Sequence, residues 1–78
     1  MIDIPVIDMC KTGQNIVHYR KQQGLSVKDL QNILGLASLN AIYKWQKGKS
    51  IPTVDNLIIL SALFKTPIDD IIAIQQKI

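Results

Sequence analysis

A chain of 78 residues has room for one hydrophobic core and no more, and 47% hydrophobic residues suffice to fill it. No apolar run approaches the roughly 18 residues of a membrane span, and residues 1–10 carry Asp3 and Asp8 where a secretory leader would carry Lys or Arg. The single cysteine, Cys10, excludes a disulfide framework and agrees with a reducing, cytoplasmic address.

The net charge of +3 is unevenly spread. Between residues 11 and 49 stand Lys11, Arg20, Lys21, Lys28, Lys44, Lys47 and Lys49 against Asp29 alone, whereas the later residues set Lys65 and Lys77 against Asp55, Asp69 and Asp70. So concentrated a positive stretch suits a polyanionic partner, the plainer alternative being a solubilising face.

In chain order, Ile2, Ile4 and Val6 alternate like a strand, but Pro5 interrupts them and no second strand is evident. Residues 1–11 are therefore expected to form an arm, and residues 12–78 a single domain. The two aspartates of the arm disfavour DNA phosphate and favour packing on the domain or on a partner chain. Thr12 is expected to cap a first helix running to Gln23, with Ile16, Tyr19 and Gln23 on one face and Gly24 as its stop. Ser26 caps a second, with Leu30, Ile33 and Leu34 inward and Gly35 at its end.

After a short link, Ser38 caps a third helix in which Ile42 and Trp45 face inward, and Gly48 closes it. Residues 49–52 lead to Thr53, the cap of a fourth helix with Leu57, Leu60, Leu63 and Phe64 on its core face. Thr66, with Pro67 at the first helical position and Asp69 and Asp70 near the positive helix end, opens a fifth. The fold class is all-α, five helices joined by short loops.

Catalysis is disfavoured by inventory, because acid–base or nucleophilic chemistry needs several groups brought together. The chain has one His, one Cys and no Glu. His18 lies mid-helix between Val17 and Tyr19, where a packing or surface role is expected, and two Cys or His residues fall short of a zinc site. Asp69 and Asp70 are adjacent, so on a helix they point about 100° apart. No Gly-rich phosphate loop is present. No enzyme activity, metal, cofactor or small-molecule substrate is expected.

The strongest constellation spans residues 26–48, two short helices joined through Gly35, Leu36, Ala37 and Ser38. Such a unit presents its second helix as a rod, and the major groove of B-DNA admits one. Opposite Ile42 and Trp45 that rod offers Leu39, Asn40, Tyr43, Lys44 and Lys47. Asn40 can pair bidentately with adenine, Lys44 can reach guanine acceptors, and Leu39 can pack on a thymine methyl. Lys28, Lys47 and Lys49 are placed for phosphates. The helix N-termini at Ser26 and Thr53 can direct backbone N–H groups at the phosphate strand.

The chain resembles the lambda-repressor-like helix-turn-helix family, which includes phage Cro proteins and bacterial XRE-type regulators. Arg20 with Gly24, Leu25 and Ser26 carries the resemblance, followed by Leu30, Gly35 and Leu36, then residues 42–49 ahead of Pro52, and Leu57, Leu60 and Ile68. It extends over residues 12–72 as an ordered series, although no single motif in it is specific. The resemblance implies a compact five-helix DNA-binding domain whose third helix reads DNA, as a homodimer on a palindromic operator. By position it implies base reading by Ser38, Leu39, Asn40 and Lys44 with Tyr43 beside them, and backbone contact by Lys47 and Lys49.

Four positions depart from the family's pattern. Gln31 stands where the family usually has a small Ala, and the link between Gly35 and Ile42 is one residue longer, which is expected to relieve the crowding Gln31 causes. Val27 replaces a polar phosphate contact. Gln46 replaces an acidic residue and can hydrogen-bond Arg20 but not pair with it ionically.

The fifth helix, with Ile68, Ile71, Ile72, Ala73, Ile74 and Ile78, is more apolar than one buried stripe requires, and the fourth adds Ile58 and Ile59. These residues either complete a small core or pair two copies of the chain; Ile58, Ile59, Ile71, Ile74 and Ile78 are the expected dimer surface. The function expected is a sequence-specific DNA-binding transcriptional regulator, a repressor because so small a domain has no evident activation or sensor module. The alternatives are the same fold used as a protein-interaction module, antitoxin or anti-repressor-like, and a helical bundle without a nucleic-acid role.

Overall fold

The structure, a computed structural model, describes residues 4–75. Five helices follow in order: α1 (Met9–Gln22), α2 (Val27–Leu34), α3 (Asn40–Gln46), α4 (Val54–Phe64) and α5 (Ile68–Ile71). Each of the first four ends on a left-handed residue or its equivalent turn, with paired backbone hydrogen bonds that satisfy the last carbonyls. After α2, for example, Gly35 N donates to Asn32 O at 3.3 Å and Leu36 N to Gln31 O at 3.0 Å. Gly24, Gly35 and Gly48 supply the positive φ for three of these ends, as their positions predict; at the end of α4 Lys65 adopts it instead, at φ 52°.

One core holds the helices together. Ile16 from α1, Leu30 from α2, Ile42 and Trp45 from α3, Leu57, Leu60 and Phe64 from α4, and Ile71 from α5 are all buried. At about 1.5–3 kcal/mol for each fully buried large aliphatic or aromatic side chain, these eight contacts dominate the favourable side of folding. Tyr19 lies against Phe64, ring centroids 6.0 Å apart, and completes the α1 face.

Several sequence expectations require correction. Helix α1 begins at Met9 rather than after Thr12, because Asp8 caps it, its carboxylate accepting from Lys11 N at 2.9 Å. Thr12 is buried, and its hydroxyl accepts from Ala73 N at 2.9 Å. The strand-like pattern near the N-terminus does find a partner, and it is the C-terminal segment. Ile7 and Ile74 form an antiparallel bridge, flanked by Asp8 N to Ala73 O and Gln75 N to Val6 O, both 2.8 Å.

That pairing also explains why α5 is only one turn long. Ile72 is already extended, at φ −80° and ψ 118°, because the backbone beyond Ile71 bonds to other parts of the chain. Asn15 Nδ2 donates to Ile71 O at 3.1 Å and Thr12 accepts the next free N–H. Ile71 is therefore a fully buried core residue and is removed from the expected dimer surface. Ile74 sits 48% exposed in the terminal pairing, and Ile78 lies outside the described residues. Ile33 and Gln23, expected inward, are exposed, since Leu30 with Val27 and Leu34 already forms the inner stripe of α2.

Candidate nucleic-acid interface

The candidate interface is built on α3, and its register follows from its first turn. Leu39 flanks the helix in an αR conformation without a side-chain cap, while Ser38 Oγ accepts from Asn40 N at 3.3 Å. The helix thus starts one residue later than a Ser38 cap would place it. At 100° per residue from Asn40, residues 40, 43, 44 and 47 fall on one side and residues 42 and 45 on the other. Burial follows that division: Ile42 is 0% and Trp45 4% exposed, whereas Asn40, Tyr43, Lys44 and Lys47 are all exposed. Ser38 is exposed beside them and Leu39 is half-buried at the edge of the stripe.

Three features clamp this helix to the domain. Gly13 brings α1 so close that a Cβ at that position would lie 2.4 Å from Trp45 O and 2.7 Å from Gln46 O. Arg20 reaches across from α1, its Nε donating to Gln46 Oε1 at 3.2 Å and its terminal nitrogen to Leu25 O at 2.8 Å. This is the neutral-acceptor bond foreseen for Gln46, and it makes Arg20 a bracket between two helices. The apolar anchors Ile42 and Trp45 are the third feature. The exposed stripe therefore stands on a rigid support.

Electrostatically, the stripe carries Lys44 and Lys47, with Lys49 exposed in the following turn and Lys28 exposed on α2. No acidic residue occurs between Asp29 and Asp55. Both of those aspartates lie in the first turn of a helix, at the Ser26 and Thr53 ends expected to face phosphate. At α2 the Ser26 hydroxyl accepts from Asp29 N and the Asp29 carboxylate accepts from Ser26 N, both 2.9 Å, a reciprocal capping box. The backbone N–H and then the hydroxyl of Ser26 hold the Asp29 carboxyl below its ordinary range. At α4 the Thr53 hydroxyl donates to the Asp55 carboxylate. That bond first, and the Asn56 N–H second, lower the Asp55 pKa. A carboxylate already placed at each positive helix end repels a phosphate.

Sequence reasoning missed Gly13, which reads as a helix breaker but serves as a close-approach site, and Asn15 and Thr12, whose partners lie more than fifty residues away. It also assigned Gln31 to crowding. The side chain lies instead along the turn, Nε2 donating to Leu36 O at 3.2 Å and Oε1 accepting from Lys28 Nζ at 3.0 Å.

Elsewhere, His18 is exposed and packs edge-on to Tyr19, with centroids 5.1 Å apart, and Cys10 is exposed. Among the described residues no three His, Cys, Asp or Glu side chains are grouped to hold a metal ion, and no helix is long and apolar enough to cross a membrane.

Residues 16–71 match the model of the family described as Helix-turn-helix. Among solved structures, the restriction-modification controller protein C.AhdI from Aeromonas hydrophila is similar, with a TM-score of 0.70 and 22% identity, over 82% of this chain and 96% of that one. The DNA-binding domain of BldD is similar at a TM-score of 0.66 and 22% identity, over 82% of this chain and 92% of that one. A second structure of the BldD DNA-binding domain, from S. venezulae, gives the same TM-score and identity, with 94% of that chain covered. A search of curated proteins gives no match.

Proposed function

The chain belongs to the lambda-repressor-like helix-turn-helix family of DNA-binding regulators, and from that premise we propose that it is a sequence-specific transcriptional repressor that inserts α3 into the DNA major groove. The observation that carries the reading is the two-sidedness of α3: one side buried on Ile42 and Trp45, the other an exposed stripe of Asn40, Tyr43, Lys44 and Lys47, in a stretch with no acidic residue between Asp29 and Asp55. Asn40 and Lys44 read base edges, with Ser38, Leu39 and Tyr43 beside them; Lys28, Lys47 and Lys49 bind phosphates. C.AhdI is a controller protein and the BldD structures are of a DNA-binding domain, and both share this fold.

The regulator acts as a homodimer on a palindromic site inside the cell, with two copies of α3 about one DNA turn, roughly 34 Å, apart. Ile58 and Ile59, 58% and 38% exposed, with Val54 at 71%, give α4 the apolar outer face such pairing needs. The Thr53 hydroxyl donates to Asp55, so any phosphate contact at this helix end falls to the backbone N–H groups.

Binding to duplex DNA across a salt series tests the reading. Affinity falls as salt rises with a log–log slope of about −0.9 per phosphate neutralised, and Lys47→Ala reduces that slope by about one unit on every sequence. Absence of DNA binding at low salt contradicts the proposal.

A further inference from the structure

We infer that Gln31 is a specificity-determining positioning residue, a relay that ties the phosphate-binding Lys28 to the entry of the recognition helix; the inference rests on the DNA-binding reading above. Gln31 holds both backbone groups of Leu36. Its main-chain carbonyl accepts from Leu36 N at 3.0 Å, and its side-chain Nε2 donates to Leu36 O at 3.2 Å.

Leu36 opens the turn that carries Ser38 and Leu39 into α3; its side chain packs against the core, and its backbone is held by Gln31. Leu39 flanks the helix without a side-chain cap, and the one bond from Ser38 to Asn40 is 3.3 Å long. Ile42, Trp45 and Arg20 seat the body of α3, and the position of Leu36 sets how its first turn, with Ser38, Leu39 and Asn40, is presented.

The other end of the same amide faces the DNA-side cation. Lys28 Nζ donates to Gln31 Oε1 at 3.0 Å. An ammonium has three N–H donors, so one can stay on Gln31 while the others take phosphate oxygens. A charged donor on Oε1 polarises the amide and strengthens the bond its Nε2 makes to Leu36, since hydrogen bonds in series reinforce one another. The phosphate contact and the base-reading helix thus share a single rigid amide. Once Gln31 is removed, Lys28 still finds phosphate, but the entry to α3 loses its lateral hold. Selectivity should suffer while general affinity does not.

The test uses the full chain and two duplexes, the sequence it selects from a random pool and a scrambled control, with the melting temperature of each variant measured alongside. Gln31→Met keeps the side chain's length and removes both of its hydrogen bonds. The ratio of affinities for selected over scrambled DNA is expected to fall about tenfold, the worth of one well-placed hydrogen bond, with scrambled-DNA affinity and salt slope unchanged. Gln31→Glu retains an acceptor for Lys28 but sets a carboxylate against Leu36 O, and should lose the same selectivity, which covers the case in which the Met variant does not fold. Lys28→Met should lower the ratio as well, and the Lys28→Met, Gln31→Met double variant should cost no more than the larger single change.

An unchanged ratio in Gln31→Met, an equal loss on both duplexes, or simple addition of the two effects overturns the relay and leaves the DNA-binding reading standing. A wild-type chain that prefers no sequence overturns that reading first, and the relay with it.

Discussion

Gly13 shows how a single atom decides the packing of α3. In an exposed helix interior, replacing glycine by alanine gains about 1 kcal/mol from helix propensity. Here the added methyl would sit 2.4 Å from Trp45 O, against main chain that cannot step aside without moving α3. Overpacking of this kind costs roughly 1–3 kcal/mol, so Gly13→Ala is expected to lower the thermal midpoint. A raised midpoint would mean that α1 and α3 are farther apart than described. Arg20 acts at the same scale: its bonds to Gln46 and Leu25 leave it part of the support behind the exposed stripe of α3, not part of the stripe.

At the scale of elements, what was legible in the sequence was local. The glycines at 24, 35 and 48 end the first three helices because each adopts a positive φ there. Ser26 caps α2 as its type and spacing indicate. The inward pairs Ile42 with Trp45 and Leu57 with Leu60 follow from period 3.6. What was not legible was non-local. The end of α5 and the pairing of residues 6–8 with 73–75 depend on bonds between opposite chain ends, such as Thr12 with Ala73, and no local pattern announces these.

The candidate site divides the same way. The exposed stripe of α3 and the Ser26–Asp29 capping box are both readable from local spacing, whereas the close approach of Gly13 to Trp45 and Gln46 joins residues far apart in the chain.

The α2 capping box makes a pH prediction. Asp29 has a lowered pKa in the folded chain, so its contribution to stability is complete above the ordinary carboxylate pKa of about 3.9 and is lost as pH falls through the lower folded value. Thermal midpoints should therefore drop on acidification below about pH 4, and less steeply in Asp29→Asn. Equal acid sensitivity in the two chains would assign the drop to other carboxylates.

For the whole molecule, the question is how one small domain gains enough contact to select a site. On the proposed function, one copy of α3 would read a few base pairs, and two copies joined by symmetry would read a palindrome. The exposed Val54, Ile58 and Ile59 lie on α4, on a different helix from the α3 stripe. Ile58→Lys is expected to leave the fold intact, shift the chain to monomer in sedimentation, and weaken operator binding while nearly sparing half-site binding. An Ile58→Lys chain that remains dimeric would place the interface elsewhere.

The claim on which the rest depends is that the outward stripe of α3 reads bases, and selection from a random duplex pool by the wild-type chain and by Asn40→Ala and Lys44→Ala tests it most directly. The wild type should enrich a two-fold symmetric sequence. Each variant should bind it about 1–3 kcal/mol more weakly and relax the preference at one position per half-site. No enrichment at low salt, or variants that weaken all sequences alike, would contradict it.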